Sequence, residues 1–253
     1  MGTIDELTIV FKKLRLSGVL ETLDIRMREA TESNLSHDEF LFRLLGDEAQ
    51  RRDARQLTQR LTRASFEAIK TIEDFDFTFN PQVPKHKIVD LATCNFVRRN
   101  ESVLIVGQSG VGKSHIAQAI GHRACRAGFT VTYTHAHQLF SKLRAARADD
   151  SHDQYLTKLA KQDLLIIDDL GLHPVPNEQA IDLYELIRMR YEKAATVITS
   201  NRNIDEWYPL FGDELLASAA MDRLLHHSTL IVMEGDTYRN PPKHKKTRTK
   251  QAA

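Results

Sequence analysis

Cysteine is scarce in this chain. Cys94 and Cys125 are the only two, far apart and outside any CxxC or Cys/His spacing, which excludes a disulfide framework and gives no reason to expect zinc. Long apolar runs are missing as well. None approaches the roughly 18 residues of a membrane-spanning helix, and the N-terminal MGTIDELTIVFKKL carries acids where a signal peptide needs a basic start. These absences lead to the expectation of a soluble, cytoplasmic protein in a reducing setting, with no membrane partner. Net charge is nearly absent too, at +1, but it is unevenly placed. The terminal PPKHKKTRTKQAA holds five Lys/Arg and no acid, so residues 241–253 read as a basic, disordered tail able to meet phosphates.

What is present divides in two. Residues 4–72 read as successive helices, the second opening with Ser36 and Glu39 at capping-box spacing. That helix carries Arg51, Arg52, Arg55, Arg60 and Arg63 against one acid, Asp53. The charges suit either a solvated face or DNA contact. Phe75, Phe77 and Phe79 followed by Pro81 and Pro84 mark a linker, which puts a boundary near residue 76. The expected organisation is a helical domain over 1–75, a core over 76–240 and the tail. From Ile88 strands alternate with helices: strand 103–106, helix 113–127, strand FTVTYTHA, a helical stretch over 137–161, strand DLLIIDDL, helix 177–193 and strand ATVITSN. Such alternation argues for a parallel α/β sheet covered on both faces. No internal repeat is visible.

The chemistry starts at VLIVGQSGVGKSH. Gly107, Gln108, Ser109, Gly110, Val111 and Gly112 lead into Lys113, Ser114 and His115, a phosphate-binding loop between a strand and a helix. Its backbone N–H groups close around phosphates, Lys113 reaches the β and γ oxygens, and Ser114 ligates Mg²⁺. A second strand, LLIIDDLG, delivers Asp168 at its carboxyl end to hold the metal and Asp169 to polarise a water. The third, ATVITSN, ends in Asn201, which by residue type alone better suits the opening of a turn, but as the third such element in order suits contact with the γ-phosphate and the attacking water.

These three elements in this order resemble an AAA+ ATPase core. More narrowly, RRNESVLIVGQSGVGKSHIAQAIGHRA, DLLIIDDLG and MDRLLHHSTLIVMEGDTYR resemble the IstB family, helper ATPases of insertion-sequence transposition related to DnaC helicase loaders. The resemblance implies an α/β AAA+ P-loop core, a small all-α N-terminal domain and no C-terminal lid domain. It implies ATP and Mg²⁺ as cofactors, double-stranded DNA and a cognate transposase as partners, and an ATP-dependent homo-oligomer. It makes Lys113, Asp168, Asp169 and Asn201 catalytic. Arg223 becomes a finger reaching a neighbouring subunit's γ-phosphate, where adjacency alone would allow a surface ion pair with Asp222. Arg239 becomes a second, nucleotide-sensing arginine. Lys142, Arg144 and Arg147 lie where related initiators carry an extra helix and face DNA or solvent. Asp169 departs from the Glu common in AAA+ proteins, being one methylene shorter.

Rival readings are a helicase loader, a small-molecule kinase and a nucleotide-gated scaffold without hydrolysis. No Asn-Lys-x-Asp guanine reader follows the last strand, which disfavours a GTPase. His135 with His137, and His226 with His227, have no Cys or acid at zinc spacing, so no metal is expected at either pair.

Overall fold

The computed structural model describes residues 3–173 and 175–239. The basic tail expected over 241–253, and with it the expectation about a lid, lies outside the described residues. The chain divides into two compact units, Met1–Gln59 and Arg60–Ala253. The division falls ahead of the boundary expected near residue 76, because the intervening segment packs on the α/β unit: Phe66 stacks on His122 with ring centroids 4.4 Å apart, and buried Phe75 meets His115 edge-on.

The first unit is built from α1 (Thr3–Lys13), α2 (Ser17–Glu32) and the start of α3 (His37–Ala64). Val19, Leu23 and Leu44 form its core, with Phe11, Leu16 and Phe40 against them. Ser36 Oγ accepts the Glu39 N–H at 3.3 Å, half of the expected capping box. Buried Glu48 accepts the Gly18 N–H at 2.5 Å and so satisfies a free donor at the start of α2. The basic face is partly engaged within the unit: Arg51 pairs with Glu21, and Arg52 with Glu48 at 2.6 Å, while Arg55 is exposed.

The second unit is a five-stranded parallel sheet in the order β2-β3-β4-β1-β5. Its strands are β1 (Ser102–Gly107), β2 (Val131–His135), β3 (Leu164–Leu170), β4 (Ala195–Ser200) and β5 (Ser228–Met233). The four strands read from the sequence are present, and β5 is an addition. Two short helices, α4 (Lys85–Leu91) and α5 (Asn95–Arg98), precede β1, and α6 (Lys113–Arg126) follows the phosphate loop. The stretch expected as one helix over 137–161 is two, α7 (Ala136–Ala148) and α8 (His152–Ala160). Asp150 turns left-handed at φ 57°, and Asp149 Oδ1 accepts from the Ser151 backbone and hydroxyl, so local side-chain bonds replace the helical ladder. The remaining helices are α9 (Asn177–Arg190) and α10 (Glu214–Leu225), with a 3-10 segment over Ile204–Phe211 between β4 and α10.

Alternation along the strands divides the core. Leu104, Val106, Leu165, Ile167 and Ile198 pack with α7, α8, α9, α10 and the fully buried Trp207, whereas α6 crosses the other face. Arg190 closes the end of α9. It is 1% exposed and donates to the carbonyls of Leu159, Ala160, Gln162 and Ala195 and to Thr196 Oγ1. Burial pulls its guanidinium down to about 10. Arg190→Ala is expected to strand several buried carbonyls and cost about 3 kcal/mol or more of stability. Urea unfolding followed by Trp207 emission measures this, and a loss under about 1 kcal/mol would refute the role.

Candidate functional site

The parallel sheet brings the carboxyl ends of β1, β3 and β4 to one edge, where open α/β sheets bind ligands. At the end of β1 the loop turns through Gly110 at φ 85° and Gly112 at φ 98°, and Gly112 caps α6. A Cβ at Gly112 would collide with the Phe75 ring, and one at Gly110 with the Thr237 hydroxyl, so the loop requires glycine for space as well as backbone. Val111 is buried beneath the turn, whereas Gln108 and Ser109 are exposed.

Lys113 starts α6 and is only 4% exposed. Its Nζ donates to the Gln108 carbonyl at 2.8 Å and to Asn201 Oδ1 at 2.5 Å. Burial lowers its pKa, and Asp169 and Asp168 pull it back. Ser114 Oγ donates to Asp168 Oδ1 at 3.1 Å. Fully buried Asp168 also accepts from Thr199 Oγ1 and, at 2.6 Å, from the Tyr133 hydroxyl. Burial and then that bond to Asp168 raise the Tyr133 pKa, keeping the phenol a donor. The Ser114 hydroxyl and the Asp168 carboxylate are hard oxygen donors at close range, a set that fits Mg²⁺.

Asp169 sits where β3 slips register against β4, between Ile167 and Leu170, and its backbone is left-handed at φ 58°. A bulge of this kind re-aims a side chain beside an active site. The Asp169 N–H donates to Thr199 Oγ1 at 2.9 Å, so one threonine holds both acids. Burial, then the neighbouring Asp168 charge, raises the Asp169 pKa. His135, paired with Asp168 in register, holds Nδ1 3.7 Å from Asp169 Oδ2 and Nε2 2.8 Å from Glu67 Oε1. Sequence spacing gives His135 no acidic neighbour, but strand pairing supplies two and the segment after α3 a third.

Of these groups Lys113, Ser114, Asp169 and Asn201 line a cavity of about 420 Å³, with Asp168 buried behind Ser114. Its far wall is the segment after β5: the Tyr238 N–H donates to the Gly110 carbonyl at 2.9 Å, and its hydroxyl to the Asp76 carbonyl at 2.5 Å. Phe75 and Phe79 pack on the Tyr238 ring, and Arg239 and His115 line the cavity. The fold thus brings together Lys113, Ser114, His115, Asp168, Asp169, Asn201 and Arg239. Tyr133, Thr199, Glu67 and Tyr238 have no signal in the sequence reading, which weighs His135 only as a metal ligand beside His137. Tyr133 and His135 share one side of β2 by their period of two, but only the register with β3 joins them to the acids.

Arg223 lies elsewhere. It is on the last turn of α10, donates to the Ala219 carbonyl at 2.7 Å and stands over the Tyr184 and Tyr191 rings. It lines a different cavity, of about 390 Å³, at the amino ends of β1, β4 and β5, with Leu165 and Ile167 of β3 beneath. The ion pair with Asp222 is not formed, since adjacent helix residues point apart. On α7, Lys142 and Arg144 are exposed while Leu139 and Leu143 are buried, but Arg147 is paired with buried Asp182.

Residues 9–247 match the family described as IstB-like ATP binding protein. An insertion-sequence protein of Mycobacterium tuberculosis named as ATP-binding is 41% identical over 232 residues, 90% of this chain and 91% of the relative. The IS21 protein of Pseudomonas aeruginosa, likewise named as ATP-binding, is 35% identical over 240 residues, 95% of this chain and 91% of its own. The crystal structure of the DnaC helicase loader has a TM-score of 0.54 at 18% identity, covering 68% of this chain and 97% of that one, and carries the same AAA+ P-loop fold. With that fold, the phosphate loop and family similarity along nearly the whole chain, the protein belongs to the IstB-like ATP-binding family.

Proposed function

We propose that this chain hydrolyses ATP and works as a helper of insertion-sequence transposition, assembling with ATP as a homo-oligomer on double-stranded DNA and assisting a cognate transposase in target selection. The observation that carries the reading is the convergence of buried Lys113, the Ser114–Asp168 pair, Asp169 and Asn201 at one sheet edge. Relatives named for insertion sequences favour transposition over helicase loading.

In this reading Lys113 holds the β and γ oxygens, and Ser114 and Asp168 are the residues that hold Mg²⁺. When bound there, the ion neutralises charge on those oxygens. Asp169 takes a proton from water as the water oxygen bonds to the γ-phosphorus. The bond from that phosphorus to the β–γ bridging oxygen breaks, and ADP leaves with the electron pair. Burial of Asp169 favours its protonated form, which suits a group that takes up a proton. Asn201 orients the γ-phosphate and the water, and Arg239 senses the nucleotide from the cavity rim. DNA is met through its phosphates by Lys142 and Arg144, with Arg55 on the helical unit. Arg51, Arg52 and Arg147 contribute less, being ion-paired already.

Asp169→Asn tests the chemistry with little disturbance, because asparagine also tolerates the left-handed backbone. The variant is expected to bind ATP and assemble on DNA, seen as light scattering, while releasing phosphate about 10²–10⁴-fold more slowly. Turnover within twofold of the parent removes Asp169 as the base. An absence of DNA-stimulated phosphate release in the parent removes hydrolysis altogether.

A further inference from the structure

A second group of metal-type ligands lies away from the nucleotide cavity. Glu192 follows α9, and His226 and His227 follow α10, so both turns stand at the amino ends of strands flanking β1. The chain entering β1 ties them together: Asn100 Nδ2 donates to the Glu192 carbonyl and the Ser102 N–H to the His227 carbonyl, each at 3.2 Å. Glu192 at φ 57° and His227 at φ 52° both take the left-handed backbone. The two imidazoles stand with centroids 3.9 Å apart, and His226 Nδ1 is 3.8 Å from Glu192 Oε1. One ligand atom from each of the three residues lies within 4.8 Å of the others. The Tyr191 hydroxyl bonds His226 Nδ1 at 2.7 Å and steadies that ring.

Two imidazoles and one carboxylate form a three-ligand set that suits Zn²⁺ with an open fourth position. Imidazole nitrogen favours zinc, nickel and copper, whereas Mg²⁺ prefers oxygen. All three side chains are exposed, so an ion reaches them directly. We infer that Glu192, His226 and His227 form a surface site for a transition-metal dication such as Zn²⁺, distinct in place and chemistry from the nucleotide's Mg²⁺ site. Occupancy also bears on the proposed finger, a consequence that rests on that reading: Arg223 stands over the Tyr191 ring that bonds His226.

The test uses the full chain without a histidine tag, stripped with chelator and free of nucleotide. Zn²⁺ is titrated in competition with a chromophoric chelator against the parent, a His226→Gln/His227→Asn double variant and Glu192→Gln. Asparagine keeps the left-handed turn at position 227. The parent is expected to hold one more equivalent of Zn²⁺ than the double variant, and Glu192→Gln to bind that equivalent about tenfold more weakly. Equal stoichiometry and affinity in parent and double variant overturn the site. Should the double variant fail to fold, by Trp207 emission, unchanged affinity in Glu192→Gln overturns it alone. Zn²⁺ binding is also read in Arg223→Ala, where it persists whether or not that protein hydrolyses ATP, so failure of the finger reading and failure of the metal site are told apart.

Discussion

Lys113→Ala is expected to lose ATP affinity by two to three orders of magnitude. The lysine is buried and already aimed by the Gln108 carbonyl and Asn201, so no solvated side chain can replace it. Removing one partner of a desolvated charge contact costs about 2–5 kcal/mol, and the middle of that span, about 3–4 kcal/mol, corresponds to the two to three orders expected. The deletion also releases Asn201 from its bond to Nζ, disturbing two of the converging groups at once. Equilibrium titration with a fluorescent ATP analogue measures the loss, and ATP-dependent light scattering on DNA should stay flat. Affinity within threefold of the parent would falsify the assignment of this cavity to the triphosphate.

Arg223→Ala is expected to keep ATP binding and lose hydrolysis by a thousandfold or more. The phosphate loop is at the carboxyl end of β1, and the Arg223 cavity is at the amino ends of the strands. A six-residue strand spans roughly 17–20 Å, beyond the reach of an arginine side chain, so action on its own nucleotide is ruled out sterically. A role confined to stacking on Tyr184 and Tyr191 leaves turnover nearly unchanged. A finger acting on a neighbour makes a different prediction, because Lys113→Ala subunits keep Arg223 but cannot bind nucleotide. Mixing the two inactive proteins should restore part of the DNA-stimulated phosphate release. No recovery on mixing, with co-assembly confirmed, sinks the finger.

The residues of the candidate nucleotide site were legible because its parts are covalently spaced. Gly107, Gly112, Lys113 and Ser114 are set by adjacency, and Asp168 and Asn201 each end an apolar strand whose direction follows from the α/β alternation. Strand β5 was not read as one, since its run STLIVM follows α10 after a two-residue turn with no intervening Gly or Pro to announce it. The break between α7 and α8 was missed because Asp149 and Ser151 act through side-chain bonds that composition does not weigh.

The sequence by itself determined the phosphate loop, the acid-bearing strand, the parallel α/β class and the family, because each rests on neighbours along the chain. Tertiary structure decided what depends on partners distant in sequence. Strand register placed His135 beside Asp168, and packing brought Glu67 to its other nitrogen. Two turns at one end of the sheet gave His226 and His227 the carboxylate of Glu192. Arg147, a DNA candidate by charge alone, was drawn to buried Asp182, since a desolvated carboxylate attracts the nearest cation more strongly than water-facing positions do. The left-handed turn at Asp169 coincides with the register shift between β3 and β4, which exists only once the strands pair. Spacing along the chain is a covalent quantity and can be read directly, whereas register and burial exist only after collapse and decide which charges meet.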